Sequence, residues 1–256
     1  MMLNYRNTQL HYTIKGIGNP IVLLHGFLES SNIWNFFIPS LSEKRQVICI
    51  DLPGHGKSGN LEEVHTMELM AGAVHHVLTH LEIEKATLVG HSMGGYVSLA
   101  FSEKFPIMTS GLALINSSPD EDSEERKATR DRAASLVKRN KTAFVNMAIS
   151  NLLSQENSLK FRSEIEELKK EALTFSTEGI VAALKGMKIR TNKLEVLKSL
   201  ESQKFIVAGK DDPIMDYNRI ENVAKTCNCK LISLNDGHLS YIENRLALQN
   251  FMYFID

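Results

Sequence analysis

Short apolar runs alternate along the chain with longer stretches in which apolar residues recur every three or four positions. The short runs predict seven β-strands, at residues 9–14, 21–24, 47–50, 86–89, 111–116, 204–208 and 230–234. Between strands, the apolar spacing over residues 67–81 predicts a helix with one apolar face, and a second helix is predicted over residues 93–104. The run at 21–24 is apolar throughout, which is typical of a parallel strand buried on both faces. This order predicts an α/β fold with a mostly parallel central sheet flanked by helices.

The alternation stops in one segment. Residues 119–203 contain helical patterns and no strand pattern, with a highly charged stretch at 120–140 and a more apolar one at 142–153. We therefore expect an all-helical insertion between two strands of one sheet. The predicted domains are a discontinuous core of residues 1–118 and 204–256, and a helical lid of residues 119–203.

Composition narrows the class of protein. The 256 residues are 43% hydrophobic and 23% charged, with 29 Lys and Arg against 30 Asp and Glu and a net charge of −1. This balance excludes a strongly basic nucleic-acid binder and a polybasic membrane-surface protein, so the expected partner is a small molecule. No secretory signal and no apolar stretch of the ~18 residues of a membrane span are visible, and we expect a cytoplasmic protein. The three cysteines do not form a zinc motif. The sequence does not indicate an oligomeric state.

The strongest chemical motif is Gly90-His91-Ser92-Met93-Gly94-Gly95, which follows a predicted strand and begins a predicted helix. It matches the G-x-S-x-G pattern of a nucleophile elbow, a tight turn that holds a serine hydroxyl above the edge of a sheet. Glycines are needed on both sides because a larger residue would clash with the neighbouring strand and helix. At the helix N-terminus, unpaired N–H groups and the helix dipole stabilise an anion. Ser92 is therefore the candidate nucleophile, and His91 is expected to have a packing role.

A serine nucleophile needs a base, and an acid that orients the base. Candidates follow the last two predicted strands: Asp211 or Asp212 after the strand at 204–208, and His238 after the strand at 230–234. Because the carboxyl ends of parallel strands meet at one edge of a sheet, these side chains are expected to lie near Ser92. The expected order along the chain is Ser, Asp, His.

These motifs together resemble the α/β-hydrolase superfamily over nearly the whole chain. The matching segments are residues 25–27, 51–58, 90–95, 209–212 and 237–238. The resemblance implies the α/β-hydrolase fold, with the insertion as its helical cap. It also implies that the backbone N–H groups of Phe27 and Met93 form the oxyanion hole, and it favours Asp212 over Asp211. One departure is Arg245, where many relatives have proline after Glu-x; it falls at the start of a helix and should affect structure only.

The predicted reaction is hydrolysis of a small carboxylic ester or related acyl substrate through an acyl-enzyme, as in a carboxylesterase, and it requires no metal or organic cofactor. The alternative is a C–C bond hydrolase or a menaquinone-pathway-type lyase that uses the same triad, and a further alternative is a ligand-binding receptor with a vestigial triad. Candidate substrate-binding residues are Phe144, Met147 and Leu152 in the insertion. Trp34 is a fourth candidate, and either a pocket or a core position fits its sequence context.

Overall fold

The central element is a sheet of eight strands, seen in a computed structural model that describes residues 1–153 and 155–255. The strand order across the sheet is β1-β2-β4-β3-β5-β6-β7-β8. The first two strands pair antiparallel and the other pairs are parallel, except for β2 with β4. The strands are β1 (Met2–Tyr5), β2 (Thr8–Lys15), β3 (Asn19–Leu24), β4 (Arg45–Ile50), β5 (Ala86–His91), β6 (Thr109–Ile115), β7 (Gln203–Gly209) and β8 (Lys230–Leu234).

The parallel register brings the carboxyl ends of the parallel strands to one edge of the sheet. Leu24 at the end of β3 pairs with Ile50 of β4 on one side and with Gly90 of β5 on the other. Residues 21–24 of β3 are completely buried, because helices cover both faces of the sheet and the strand has no polar face to expose. The loops that leave β3, β5, β6, β7 and β8 therefore meet above the same edge, where a site can form.

Twelve α-helices surround or extend the sheet in the described part of the chain. They are α1 (Ile38–Leu41), α2 (Met67–His80), α3 (Met93–Lys104), α4 (Glu124–Arg139), α5 (Lys141–Ser150), α6 (Gln155–Lys160), α7 (Arg162–Ala172), α8 (Thr177–Lys188), α9 (Leu194–Ser199), α10 (Tyr217–Thr226), α11 (Ser240–Glu243) and α12 (Arg245–Tyr253). Short 3-10 helices occur at Ser31–Trp34 and Pro106–Met108. None of the helices in this part of the chain is long and apolar enough to cross a membrane.

Between β6 and β7, the described residues form helices and no strand. We refer to α4–α9 as the helical insertion. α4 packs against α8 and α5, whereas α9 packs against α3 on the flank of the sheet. The division into domains at residues 118 and 203 stays a prediction, and the contact of α9 with α3 attaches the end of the insertion to the core.

Helix α8 joins the insertion to the core through close backbone contact. A Cβ atom at Gly186 would lie 1.7 Å from the carbonyl oxygen of His65, and one at Gly179 would lie 2.6 Å from that of Gly54. The amide of His65 also donates to the carbonyl of Ala182 at 3.0 Å. Only glycine permits this approach, so the two α8 glycines define a seam between helix and core.

The predicted fold class is confirmed, and the seven predicted strands correspond to β2–β8. The sequence analysis missed β1. Its four residues alternate between exposed and half-buried positions at the sheet edge, which is too short a pattern to stand out from a loop.

Candidate active site

Ser92 occupies a strained turn between β5 and α3. Its φ of 48° and ψ of −112° are unusual for a residue with a side chain. The turn persists because the flanking glycines allow close packing: a Cβ at Gly90 would lie 2.3 Å from the carbonyl carbon of Gly94, and one at Gly94 would lie 2.3 Å from the carbonyl oxygen of Leu24. The Ser92 amide donates to Ile115 of β6 at 2.9 Å, which ties the turn to the sheet.

The three predicted catalytic side chains lie in one hydrogen-bonded chain. His238 Nε2 is 3.0 Å from Ser92 Oγ, and His238 Nδ1 is 2.8 Å from Asp212 Oδ2 and 3.0 Å from Asp212 Oδ1. Asp212 and His238 are both buried, whereas Asp211 is exposed. Of the two aspartates that the sequence pattern left open, Asp212 is the one that contacts the histidine.

Asp212 is held as a carboxylate by the loop that follows β7. Its Oδ1 accepts hydrogen bonds from the amides of Ile214 at 2.8 Å and Met215 at 3.1 Å. Burial alone would raise the pKa of Asp212, but the charge of His238 and these hydrogen bonds outweigh it and hold the pKa below its usual value. The acid therefore remains ionised and can stabilise a positive charge on the histidine.

Asn116 is a positioning residue that the sequence analysis did not single out. Its Nδ2 donates to Asp212 Oδ2 at 3.1 Å and to the carbonyl oxygen of Gly237 at 2.9 Å. It lies directly after β6 with a positive φ of 46°. This amide links the acid to the loop that carries His238. The strand-end argument that located the aspartate would have located Asn116 as well.

A second buried network lies on the other side of His238. Glu29 Oε2 accepts from the Gly26 amide at 2.6 Å and lies 2.9 Å from His91 Nδ1, and Glu29 Oε1 accepts from the Tyr241 hydroxyl at 3.1 Å. His91 Nε2 donates to the carbonyl oxygen of His238 at 2.9 Å. The expectation that His91 only packs is therefore incomplete, because its ring connects the loop after β3 to the backbone of His238.

Electrostatics identify Glu29 and His91 as an ion pair. Both are completely buried, and burial alone would raise the pKa of Glu29 and lower that of His91. The mutual attraction and the hydrogen bond between them outweigh burial, so the pKa of Glu29 is lowered and that of His91 is raised. Glu29 was not predicted, although it lies in the loop after β3 at the edge of the sheet that holds Ser92.

The amides expected to form an oxyanion hole belong to Met93, next to the nucleophile in sequence, and to Phe27. Met93 is the first residue of α3, and the amides of a first helical turn have no acceptor within the helix. Phe27 lies in the loop after β3, and its side chain lines the same cavity as Ser92 and His238. The convergence of these two backbone donors near the serine hydroxyl stays a prediction.

Ser92 and His238 open into a cavity of about 660 Å³ between the core and the helical insertion. The predicted binding residues Phe144, Met147 and Leu152 line this cavity. The fourth candidate, Trp34, does not. It has no exposed surface, and its ring packs edge-on to Phe37 at 6.0 Å. The prediction that Trp34 binds substrate is therefore wrong, because the indole is part of the hydrophobic core.

Within residues 1–153 and 155–255, no group of three or more His, Cys, Asp or Glu side chains is arranged to hold a metal ion. Cys49 and Cys227 are buried and Cys229 is half-buried, and all three are free thiols. The polar groups that line the cavity near Ser92 are instead arranged as a nucleophile, a base and hydrogen-bond donors, which suits attack on a carbonyl group.

Comparison with known proteins identifies the family of this chain. The family model of the α/β hydrolase fold matches residues 19–245. A thermophilic esterase from Thermogutta terrifontis, solved with malate bound, is 30% identical, with a TM-score of 0.90 covering 95% of this chain and 91% of that chain. The enol-lactonase from Burkholderia xenovorans has the same fold, with a TM-score of 0.92, 19% identity and 100% coverage of both chains.

A curated relative extends well beyond the matched region. The dihydrolipoyllysine-residue acetyltransferase component of the acetoin cleaving system from Pseudomonas putida is 44% identical over 100 residues. The alignment covers 39% of this chain and 27% of that protein. The chain therefore matches only about a quarter of the length of that relative.

Proposed function

The chain belongs to the α/β hydrolase fold family, and on that premise we propose that it is a hydrolase that cleaves a small carboxylic ester through an acyl-enzyme on Ser92. The observation that carries the proposal is the continuous chain from Ser92 Oγ through His238 to Asp212, which opens into a cavity. The esterase from Thermogutta terrifontis, 30% identical to this chain, supports the same reaction class.

In the proposed first step, Ser92 Oγ attacks the carbonyl carbon of the ester while His238 Nε2, 3.0 Å away, accepts its proton. Asp212 stabilises the resulting imidazolium and keeps the ring oriented. The negative charge that develops on the carbonyl oxygen is stabilised by the N–H groups of Phe27 and Met93. His238 then transfers its proton to the leaving alcohol as the C–O bond breaks, and the acyl group stays on Ser92.

In the second step, water replaces the alcohol. His238 removes a proton from the water molecule as the water oxygen attacks the acyl carbon. His238 then returns the proton to Ser92 Oγ as the bond between Oγ and the acyl carbon breaks, and the carboxylic acid leaves. The reaction needs only the residues of the chain and water. The cavity holds an acyl chain against Phe144, Met147 and Leu152, which contribute apolar contact area.

The test is turnover of 4-nitrophenyl butyrate by wild type and by Ser92→Ala. We expect kcat to fall by at least about 10³-fold in the variant, because the nucleophile is lost while the fold is retained. Ser98→Ala is the matched control: it removes a hydroxyl from α3 that bonds to the Gly94 carbonyl within the helix. Unchanged turnover in Ser92→Ala, with normal circular dichroism, would contradict the proposal.

Burst kinetics, labelling and ligand stabilisation of the wild-type protein distinguish ester hydrolysis from the two alternative functions. An esterase gives a burst of 4-nitrophenol equal to the enzyme concentration when deacylation is slow, and it is labelled at Ser92 by a fluorophosphonate. A lyase or C–C bond hydrolase with the same triad would be labelled without giving ester turnover. A receptor with a vestigial triad would be stabilised by its ligand and would turn over none of these esters.

A further inference from the structure

Three arginines surround one buried carboxylate beside the cavity. Asp122 precedes α4, and its side chain has 0% exposed surface. Its oxygens lie 2.7 Å from Arg190 Nη1, 3.0 Å from Arg130 Nε and 3.7 Å from Arg126 Nε. Because arginine stays charged at any ordinary pH, this cluster keeps an excess of two positive charges even with Asp122 ionised.

The positive charge of one arginine balances the negative charge of Asp122, and Arg190, with 7% of its side chain exposed, is the most buried of the three. Besides its contact with Asp122, its Nε donates to the carbonyl of Asp120 at 3.0 Å and its Nη1 to that of Met187 at 2.9 Å. Its guanidinium also lies 4.1 Å from the ring centre of Tyr96. Arg190 is therefore held entirely by protein groups, and Arg126 and Arg130 supply charge beyond what burying Asp122 requires.

Arg126 and Arg130 both line the cavity that contains Ser92 and His238. Arg126 uses Nη1 to bond to the carbonyl of Ile214 at 3.0 Å, and its side chain is 40% exposed. Arg130 uses only Nε, and its two Nη atoms have no hydrogen-bond partner among the described residues. A guanidinium group with open Nη donors is suited to a carboxylate, which it binds with two parallel hydrogen bonds.

The carboxylates that line the same cavity do not cancel this charge. Glu29 is already paired with His91 and with the Gly26 amide. Glu125 lines the cavity as well, but it is exposed, so solvent screens its charge. The part of the cavity wall formed by Arg126 and Arg130 of α4 is therefore cationic.

We propose that the substrate carries a carboxylate that binds Arg126 and Arg130 while its ester carbonyl lies at Ser92. The substrate class is then a half-ester of a dicarboxylic acid, or an ester whose alcohol part bears a carboxylate. This inference rests on the proposed ester hydrolysis and adds a charge requirement to it. The apolar side chains of α5 contact the chain between the two ends of such a substrate.

The test uses two esters that differ in one group. Mono-4-nitrophenyl glutarate has a terminal carboxylate where 4-nitrophenyl pentanoate has a methyl group. Wild type is expected to have the higher kcat/KM for the glutarate ester, and added salt should raise KM for that ester alone. In Arg126→Gln and in the Arg126→Gln/Arg130→Gln double variant, the ratio of the two kcat/KM values should fall, by on the order of 10- to 100-fold in the double variant.

A second pair of esters locates the carboxylate. In 4-acetoxybenzoate the charge is on the alcohol side, and 4-methylphenyl acetate is its neutral partner. A charge preference for one pair that the double variant loses identifies the side of the ester that faces α4. Arg139→Gln is the matched control, because it removes an exposed positive charge from the same helix away from the cavity, and both ratios should remain at the wild-type value.

Calorimetric titration with glutarate tests the charge site without any chemistry, since glutarate has no ester bond. Wild type and Arg139→Gln should bind it, and the double variant, shown to be folded by circular dichroism, should not. Equal binding by wild type and the double variant, or no binding by wild type, overturns the inference. Ester turnover without a charge preference overturns it too and leaves the proposed hydrolysis intact, whereas glutarate binding without any ester turnover refutes the hydrolysis instead.

Discussion

Ionisation of Asp236, two residues before His238, lowers the stability of the folded protein as the pH rises. Asp236 is 3% exposed, and its Oδ1 accepts a hydrogen bond from the Ser240 hydroxyl at 3.1 Å. Burial raises the pKa of Asp236 to about 7, and the negative charges of Glu243 and Asp212 add to the rise. The variant Asp236→Asn removes the ionisation while it keeps the size of the side chain and a hydrogen-bond acceptor.

The magnitude follows from the two pKa values of this group. In the unfolded chain Asp236 has the ordinary pKa of 3.8, and in the folded protein it has a pKa of about 7. Between these values the folded state binds a proton that the unfolded state has lost, so stability falls as pH rises from about 4 to 7. Because each pKa unit corresponds to about 1.4 kcal/mol, the full cost above pH 7 is about 4 kcal/mol.

The assay is chemical and thermal unfolding of wild type and Asp236→Asn between pH 4 and pH 8.5. The two proteins should be similar near pH 4, and the variant should be more stable at pH 8, with a melting temperature higher by roughly 10 °C. Asp211→Asn is the control, because it removes an exposed carboxylate and should change stability by less than about 0.5 kcal/mol at either pH. A difference between wild type and Asp236→Asn that does not grow with pH would refute the reasoning.

Three further substitutions test the positioning groups. Glu29→Gln should cost about 3 kcal/mol in urea unfolding near pH 6 and less near pH 9, because the raised pKa of His91 stabilises the fold only while that ring is protonated; a cost independent of pH would contradict this. Asn116→Ala should lower kcat on an aryl ester by about 10-fold with little change in KM, since Asp212 loses its side-chain donor; a change confined to KM would argue against positioning. Gly94→Ala should yield insoluble protein or lose more than about 3 kcal/mol, as its Cβ would meet the Leu24 carbonyl oxygen at 2.3 Å; a soluble protein of wild-type stability would disprove the steric argument.

The strands of the sheet were predictable because the sequence pattern of each strand lies within a few consecutive residues. A strand buried on both faces reads as a continuous apolar run, as in residues 21–24, and such a run needs no knowledge of the rest of the molecule. The edge strand Met2–Tyr5 has no such run. Ser92 was predictable for a related reason, since the turn, the preceding strand and the following helix are contiguous in the sequence.

The remaining parts of the site depend on contacts between distant residues. Glu29 and His91 are 62 positions apart, and nothing local to either residue reveals that they form an ion pair. The sequence also could not place Trp34, because only tertiary packing decides whether an isolated indole faces a cavity or the core. The choice of Asp212 over Asp211 rested on resemblance, and it is the buried contact with His238 that distinguishes the two side chains in the fold.

The glycine seam of α8 separates two kinds of change that this chain can tolerate. The seam attaches α8 to the core at Gly54 and His65, whereas the cavity wall with its arginines is formed by α4, a different helix. Side chains on the cavity face of α4 can therefore be exchanged to alter which ester fits, while the attachment of the insertion stays intact. A larger residue at Gly179 or Gly186 would instead move the whole insertion relative to Ser92. For an engineer, α4 is the element in which to diversify specificity, and the α8 glycines are positions to leave untouched.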